Sequence, residues 1–261
     1  MLASTFVLLK GVGEQTERRL WQSGVLDWQT FLAHPAPLGI GPARKQLYDQ
    51  TLASALEYLS QGNARFFARC LKPRDHWRLF EAFKSRAVYL DIETTGEPAA
   101  FGKVTVVGLY AQGRMTSLVR GESLSEARLQ EELAPYDLLI TFNGRTFDLP
   151  YLRTQFPRLS LDQPHFDLCF AARRLGLDGG LKRIEAQLGI ARPSDLQDVD
   201  GWEAVRLWRR WQRGHADALA VLVRYNESDV RNLEPLAHLL YEQLTSRYLP
   251  FSGGGRCAMV Q

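Results

Sequence analysis

The sequence is poor in cysteine, poor in histidine and nearly balanced in charge, and each shortage removes a class of explanation. Its three cysteines, Cys70, Cys169 and Cys257, lie far apart and form no Cys-x-x-Cys pair, which excludes a disulfide framework and a thiolate zinc site and fits a reducing cytoplasm. A formal charge of +3 over 261 residues is too small for a global field, so any attraction to phosphate must come from local patches. No apolar run is long enough to cross a bilayer. The stretch from Met1 to Lys10 has no basic region before it and no evident cleavage site, so the expectation is a soluble, cytoplasmic protein without membrane contact.

What is present is apolar bulk and a particular set of acids. A hydrophobic content of 45% suffices for a sizeable core, and the length accommodates one ordinary domain plus a small module. The run Ala87-Val88-Tyr89-Leu90 ends at Asp91 and is broken by Thr94-Thr95-Gly96, the pattern of a buried strand followed by a turn. Asp91 and Glu93 are two apart on that strand, so both carboxylates project from one face while Ile92 turns to the opposite layer.

A second buried strand, Leu138 to Phe142, leads through Asn143-Gly144 to a helix opened by Asp148-Leu149-Pro150. Pro150 is tolerated there because first-turn amides lack intrahelical partners. Asp148 suits capping as well as metal binding. From His215 to Asn232 the apolar spacing is helical and sets Tyr225 and Asp229 one turn apart on one face. Four carboxylates gathered in one place repel, and divalent cations relieve that repulsion. Hard oxygen ligands without Cys or paired His select Mg2+ or Mn2+ over zinc. Two such ions activate a water and stabilise the leaving oxygen of a phosphoryl displacement, with Tyr225 orienting the water.

At these residues the sequence resembles the DEDD superfamily of 3′-to-5′ exonucleases, in the branch whose third motif carries Tyr, and within it the YprB-type RNase H-like proteins. Asp91-Ile92-Glu93-Thr94-Thr95-Gly96 is similar to the first exonuclease motif, Asn143-Gly144-Arg145-Thr146-Phe147-Asp148 to the second, and Tyr225-Asn226-Glu227-Ser228-Asp229 to the third. The second motif also resembles that of proofreading domains of family B DNA polymerases. The likeness runs from about Ser85 to Leu244. It implies an α/β fold, an RNase H-like mixed sheet flanked by helices and preceded by a small all-helical module. It also implies two divalent ions (Mg2+ or Mn2+) on Asp91, Glu93, Asp148 and Asp229, and removal of nucleotides from single-stranded or frayed 3′ ends. Thr94, Thr95, Asn143 and Phe147, which lie within those motifs, are the expected contacts to nucleic acid.

Residues 1–80 read as a helical module, 84–246 as the nuclease body and 247–261 as a flexible Gly-rich tail. Within the module, Gly11-Val12-Gly13 before Glu14 to Trp21 resembles a helix-hairpin-helix element, in which Gly11 and Gly13 let backbone amides approach a phosphate. That element tilts the expected partner toward DNA over RNA. Leu38-Gly39-Ile40-Gly41-Pro42 repeats it weakly. The bland account of the same glycines is a helical bundle with Trp21, Trp28 and Phe31 in its core.

Further along, Val104 to Tyr110 and Met115 to Val119 predict a hairpin around Gln112-Gly113, Ser123 to Glu126 a capping box, and His165 to Cys169 a last strand. Trp202, Trp208 and Trp211 are interleaved with Arg206, Arg209, Arg210 and Arg213, of which Arg206, Arg210 and Arg213 fall near one helix face, which reads either as a phosphate-tracking rim with a stacking aromatic or as a core stripe with a solvated face. His165, His215 and Asp167 are expected to be structural. Two other functions compete with the exonuclease: a silent nucleic-acid-binding module, and an endonuclease of RNase H or resolvase type.

Overall fold

The computed structural model describes residues 2–37, 39–196 and 200–249. Five helices come first: α1 (Glu14–Gln22), α2 (Trp28–Ala33), α3 (Pro42–Ser60), α4 (Ala64–Cys70) and α5 (Phe80–Phe83). The sheet then begins with β1 (Ala87–Thr94), β2 (Val104–Ala111) and β3 (Arg114–Val119). It continues through α6 (Glu126–Leu133), β4 (Leu138–Thr141), α7 (Asp148–Gln155) and β5 (His165–Asp167). The chain closes with α8 (Leu168–Arg174), α9 (Leu181–Leu188), α10 (Gly201–Gln212) and α11 (Ala216–Tyr248). The strand order is β3-β2-β1-β4-β5, with β1–β2 and β2–β3 antiparallel and β1–β4 and β4–β5 parallel. The result is the mixed sheet flanked by helices that the sequence predicts.

The period of two in β1 sorts its side chains. Val88, Leu90 and Ile92 pack with α6 and α7 residues such as Leu129 and Leu152 on one face. Ala87 and Tyr89 join the other face, in one cluster with Phe80, Phe166 and the α11 residues Leu233, Leu236 and Leu240. That same cluster takes in Phe6, Trp28, Phe31 and Phe67 from the N-terminal helices. Tryptophans 21, 28 and 77 are buried, and Trp28 donates its indole N–H to the Thr5 carbonyl (2.7 Å), which satisfies its one polar atom.

A buried ion pair ties the helical region together. Arg78 Nη2 donates to Glu17 Oε2 (2.9 Å) and Nη1 to Oε1 (3.1 Å), with both side chains 1% exposed. The same carboxylate accepts the Phe6 amide (2.6 Å) and the Val7 amide (3.2 Å).

Local chemistry moved some boundaries. The β2–β3 hairpin turns at Gln112 (φ 51°) and Gly113 (φ 79°), the paired left-handed conformation of a tight hairpin turn. Helix α6 is opened by Ser125, whose oxygen accepts from the Arg128 amide (3.2 Å). Ser123, the expected first member of a capping box, instead accepts from Val119 N (3.0 Å). β5 stops at Asp167, two residues before the expected end, because that carboxylate caps α8 by accepting the Cys169 amide (3.1 Å). Helix α11 runs to Tyr248, two residues into the segment assigned to the tail. Leu38 of the second Gly-rich segment, Cys257 and the rest of the tail from 250 lie outside the described residues.

Candidate active site

Register places the first two acids. β4 pairs with β1 only from Ala87 to Tyr89, so Asp91 and Glu93 continue past its end on the face that α11 covers. Opposite Asp91 on β2 stands Gly108. A Cβ there would collide with Asn226 Oδ1 and Val230 Cγ2, so the glycine is what lets α11 lie against the sheet. The approach brings Asn226 Nδ2 within 2.9 Å of Asp91 Oδ2 and turns Tyr225 and Asp229, buried on that helix, toward the same place.

Asp91, Glu93 and Asp229 each offer an oxygen within 4.8 Å of the other two. At an effective dielectric constant of about 20, two full charges at that spacing repel by about 3 kcal/mol. Three such pairs would rival the whole surplus of about 5–15 kcal/mol that holds a domain folded. Burial, reinforced by the charges of Asp148, Asp229 and Glu93, accordingly holds the Asp91 carboxyl well above the usual range. Glu93 is raised for the same reasons.

Asp148 stands apart from the tight trio but adds to its field. It is the first residue of α7, with Phe147 in the cap position, so it does not cap the helix. Its side chain is 2% exposed, and its Oδ1 has no hydrogen-bond donor among the described residues. Burial pushes it up to about 7. A buried acceptor without a donor costs about 1–3 kcal/mol, and a cation relieves that cost. Four acids, one orphaned oxygen and a raised proton affinity at each carboxyl are the donor set that a hard divalent ion satisfies.

One cation of the chain already reaches the cluster, and the sequence reading missed it. Arg192, 6% exposed, donates from Nη1 to Asp229 Oδ1 at 2.5 Å. It is clamped from behind by Glu185, through Nη2 to Oε1 at 3.0 Å and through Nε to Oε2. Burial works to lower the Arg192 pKa, but its bonds to Glu185 and Asp229 override that and raise it. Asp229 is raised by burial, against the pull of Arg192. Tyr225 is pushed far up by burial and by the Asp229 and Glu93 charges, so its phenol keeps its proton and can donate.

Asp91, Glu93 and Asp229 line a cleft of about 760 Å3, with Thr94, Thr146, Phe147, Trp202 and Tyr225 among its other walls, and Asp148 lies buried behind it. Phe147 and Trp202 are 41% and 69% exposed. Of the expected contacts, Thr95 and Asn143 do not line it. Thr95 Oγ1 accepts the Lys103 amide (2.9 Å). Asn143 takes a left-handed turn (φ 65°) and accepts from Thr146 Oγ1 (2.7 Å). Arg206 and Arg210 are also absent from the walls, paired instead with Glu203 (2.6 Å) and Asp217 (3.5 Å), and Trp208 is buried. Only Trp202 of that aromatic series reaches the cleft.

Asp167 supports the loop before α7, accepting from the Asn143 and Arg145 amides (2.9 Å each). His165 Nε2 bonds Thr141 Oγ1 (2.8 Å). Gly11 (φ 84°) and Gly13, the cap residue of α1, are exposed and lie outside the cleft. Glu14 and Glu17 occupy the first turn of that helix.

Comparison with known proteins adds the family. A model of the RNase H superfamily matches residues 88–241. The uncharacterized protein YprB of Bacillus subtilis is 29% identical over 199 residues, 68% of this chain and 48% of YprB, so the chain spans about half the length of that curated relative. Among solved structures, the family B DNA polymerase of the archaeon Pyrobaculum calidifontis superposes with a TM-score of 0.52 at 17% identity. It covers 62% of this chain and 25% of the polymerase, a likeness of fold. Brucella melitensis NrnC bound to pGG gives a TM-score of 0.46 at 25% identity, over 64% of this chain and 77% of that one.

Proposed function

The chain belongs to the RNase H superfamily, and from that premise we propose that it is a metal-dependent 3′-to-5′ exonuclease of the Tyr-bearing DEDD branch. The observation that carries the reading is the convergence of Asp91, Glu93 and Asp229 within 4.8 Å beside the orphaned oxygen of Asp148. Those four side chains would hold two Mg2+ or Mn2+ ions, which supply an activated water and a counter-charge for the leaving oxygen.

The chain's own residues do the rest. Tyr225, protonated and lining the cleft, donates to the attacking water and aligns it with the phosphorus. That water's oxygen bonds to phosphorus as the bond from phosphorus to the 3′ oxygen breaks. The attacking water gives up one proton to solvent and the 3′ oxygen takes one up from solvent, leaving a nucleoside 5′-monophosphate and a strand shorter by one. Arg192 fixes Asp229 from the side, as a partner behind a metal ligand does, and Glu185 holds Arg192. Phe147 and Trp202 offer exposed faces on which terminal bases stack regardless of sequence.

Single-stranded or frayed ends are the substrate of this reading, with DNA ahead of RNA. Gly11 and Gly13 enter it as a helix-hairpin-helix contact to the backbone. Glu14 already occupies the first turn of α1, which makes that contact weaker than one at a helix start free of acids. The test is a time course on 5′-labelled single-stranded DNA and RNA with Mg2+ or Mn2+, beside Asp91→Ala. A ladder shortening from the 3′ end and lost in the variant is expected. Internal cuts, or a ladder retained in Asp91→Ala, would overturn the reading.

A further inference from the structure

The loop that carries Thr146 and Phe147 into the acidic cleft also carries Arg145 into a second pocket, of about 330 Å3. That size falls at the lower end of small-molecule sites. Three arginines, Arg74, Arg145 and Arg174, line it, and no lysine does. Phe170 and Tyr248 supply half-buried aromatic walls above a floor of buried Trp77 and Phe166.

The charges there are unevenly matched. Arg174 and Arg74 hold Glu14 at 3.1 and 3.9 Å and each also pairs with Asp75 at 3.5 Å, and Asp167 is engaged by backbone amides. Arg145 and Arg173 are exposed and in no ion pair among the described residues; their guanidinium groups sit 5.8 and 5.4 Å from the Phe170 ring. Planar guanidinium forks match phosphate oxygens two at a time. An aromatic ring flanked by guanidinium groups is a platform on which a nucleobase stacks. In a chain of net charge +3, this is a local positive patch of the kind that draws a polyanion.

We infer that this pocket binds a nucleotide unit, its phosphate on Arg145 and its base against Phe170, with Arg173 beside that ring as the second unpaired cation among the described residues. Arg145 and Phe147 are two residues apart, so their Cα atoms are within about 8 Å, and the 143–147 loop is a wall shared with the cleft. A strand whose 3′ end lies in the cleft therefore reaches the pocket with an upstream nucleotide. That source rests on the nuclease reading; a free nucleoside monophosphate has the same chemistry and is the other source.

The test measures binding in the full chain carrying Asp91→Ala, without divalent ions, so that it does not depend on cleavage. A labelled eight-nucleotide thymidylate is followed by fluorescence anisotropy, with thymidine 5′-monophosphate and inorganic phosphate as competitors. Melting curves confirm that each variant is folded. Arg145→Ala with Arg173→Ala should raise the dissociation constant of the eight-mer about tenfold. Phe170→Leu, which removes the ring and no charge, should raise it severalfold. If the monophosphate binds, loses affinity in the same variants and leaves the eight-mer unaffected, the pocket takes free nucleotide. Unchanged binding of both probes in all variants would overturn the inference. That result would leave the exonuclease ladder intact, and loss of the ladder would not predict it.

Discussion

Glu17 and the acids of the cleft are both withdrawn from water, and the chain treats them in opposite ways. Glu17 is fully engaged, by two nitrogens of Arg78 and two backbone amides, so its neighbourhood is complete without help. At the cleft, the one side-chain cation that pairs with any of Asp91, Glu93, Asp148 and Asp229 among the described residues is Arg192, which reaches Asp229 and is itself shared with Glu185. With Arg192 and Glu185 cancelling, the four acids retain their own charges, the number that two divalent ions would balance. Burial of acids alone therefore marks nothing. The informative sign is burial that the protein's own donors leave unanswered, because such a cost persists in a fold only where something else answers it.

Single substitutions in the two places should have opposite consequences. Asp91→Ala should lower nuclease activity at least a thousandfold, about 4 kcal/mol of barrier, measured as initial rates on labelled strands. It should leave the metal-free melting temperature unchanged or higher, since it removes a repelling charge. Arg78→Ala should do the reverse, costing about 3–5 kcal/mol of stability because Glu17 stays buried without its partner. Denaturant titration checks this, and a loss below 1 kcal/mol would refute it.

Arg192→Gln probes the point where the two regimes meet. Asp229 loses its lateral support, and the Mn2+ concentration for half-maximal activity should rise about 10–100-fold, while a merely structural role would lower the rate without moving that concentration. Acidity bears on both groups, because burial raises Glu17 as well as the cleft acids. Carboxyls with raised affinity in the fold bind protons that the unfolded chain releases, so the metal-free protein loses stability as pH rises from about 4 through the folded value, near 7 for Asp148. Each such group contributes up to about 1.4 kcal/mol per pH unit, and melts between pH 5 and 8 should show the decline. Saturating metal should remove the cleft acids' share of that decline and leave the share of Glu17. Trp202→Ala has the smallest expected effect, a rise in KM worth about 1 kcal/mol at an exposed stacking surface, with kcat retained.

How much of this was legible in the sequence depended on distance along the chain. Asp91 with Glu93 and Tyr225 with Asp229 follow from periods of two and of one helical turn, which are local. Their strand and helix, and the hairpin at Gln112-Gly113, could be read from the residues themselves. Arg192 sits beyond α9 in a segment without periodicity, and it meets Asp229 only because the fold brings residues 37 positions apart together. The same limit explains Arg206 and Arg210: spacing puts them near one helix face, but nothing local tells which wall that face forms. The second pocket joins Arg74 to Arg174 across about a hundred positions, and no window of sequence contains it.

If divalent ions meet the cleft's unanswered charge, they stabilise the fold, and a thermal melt with and without Mn2+ measures that. At a hundredfold excess over the dissociation constant each bound ion should add about 2.7 kcal/mol, a rise of about 5–10 °C for a chain of this size. Asp91→Ala should lose most of that rise. No shift in the unaltered protein, or an equal shift in Asp91→Ala, would contradict the claim.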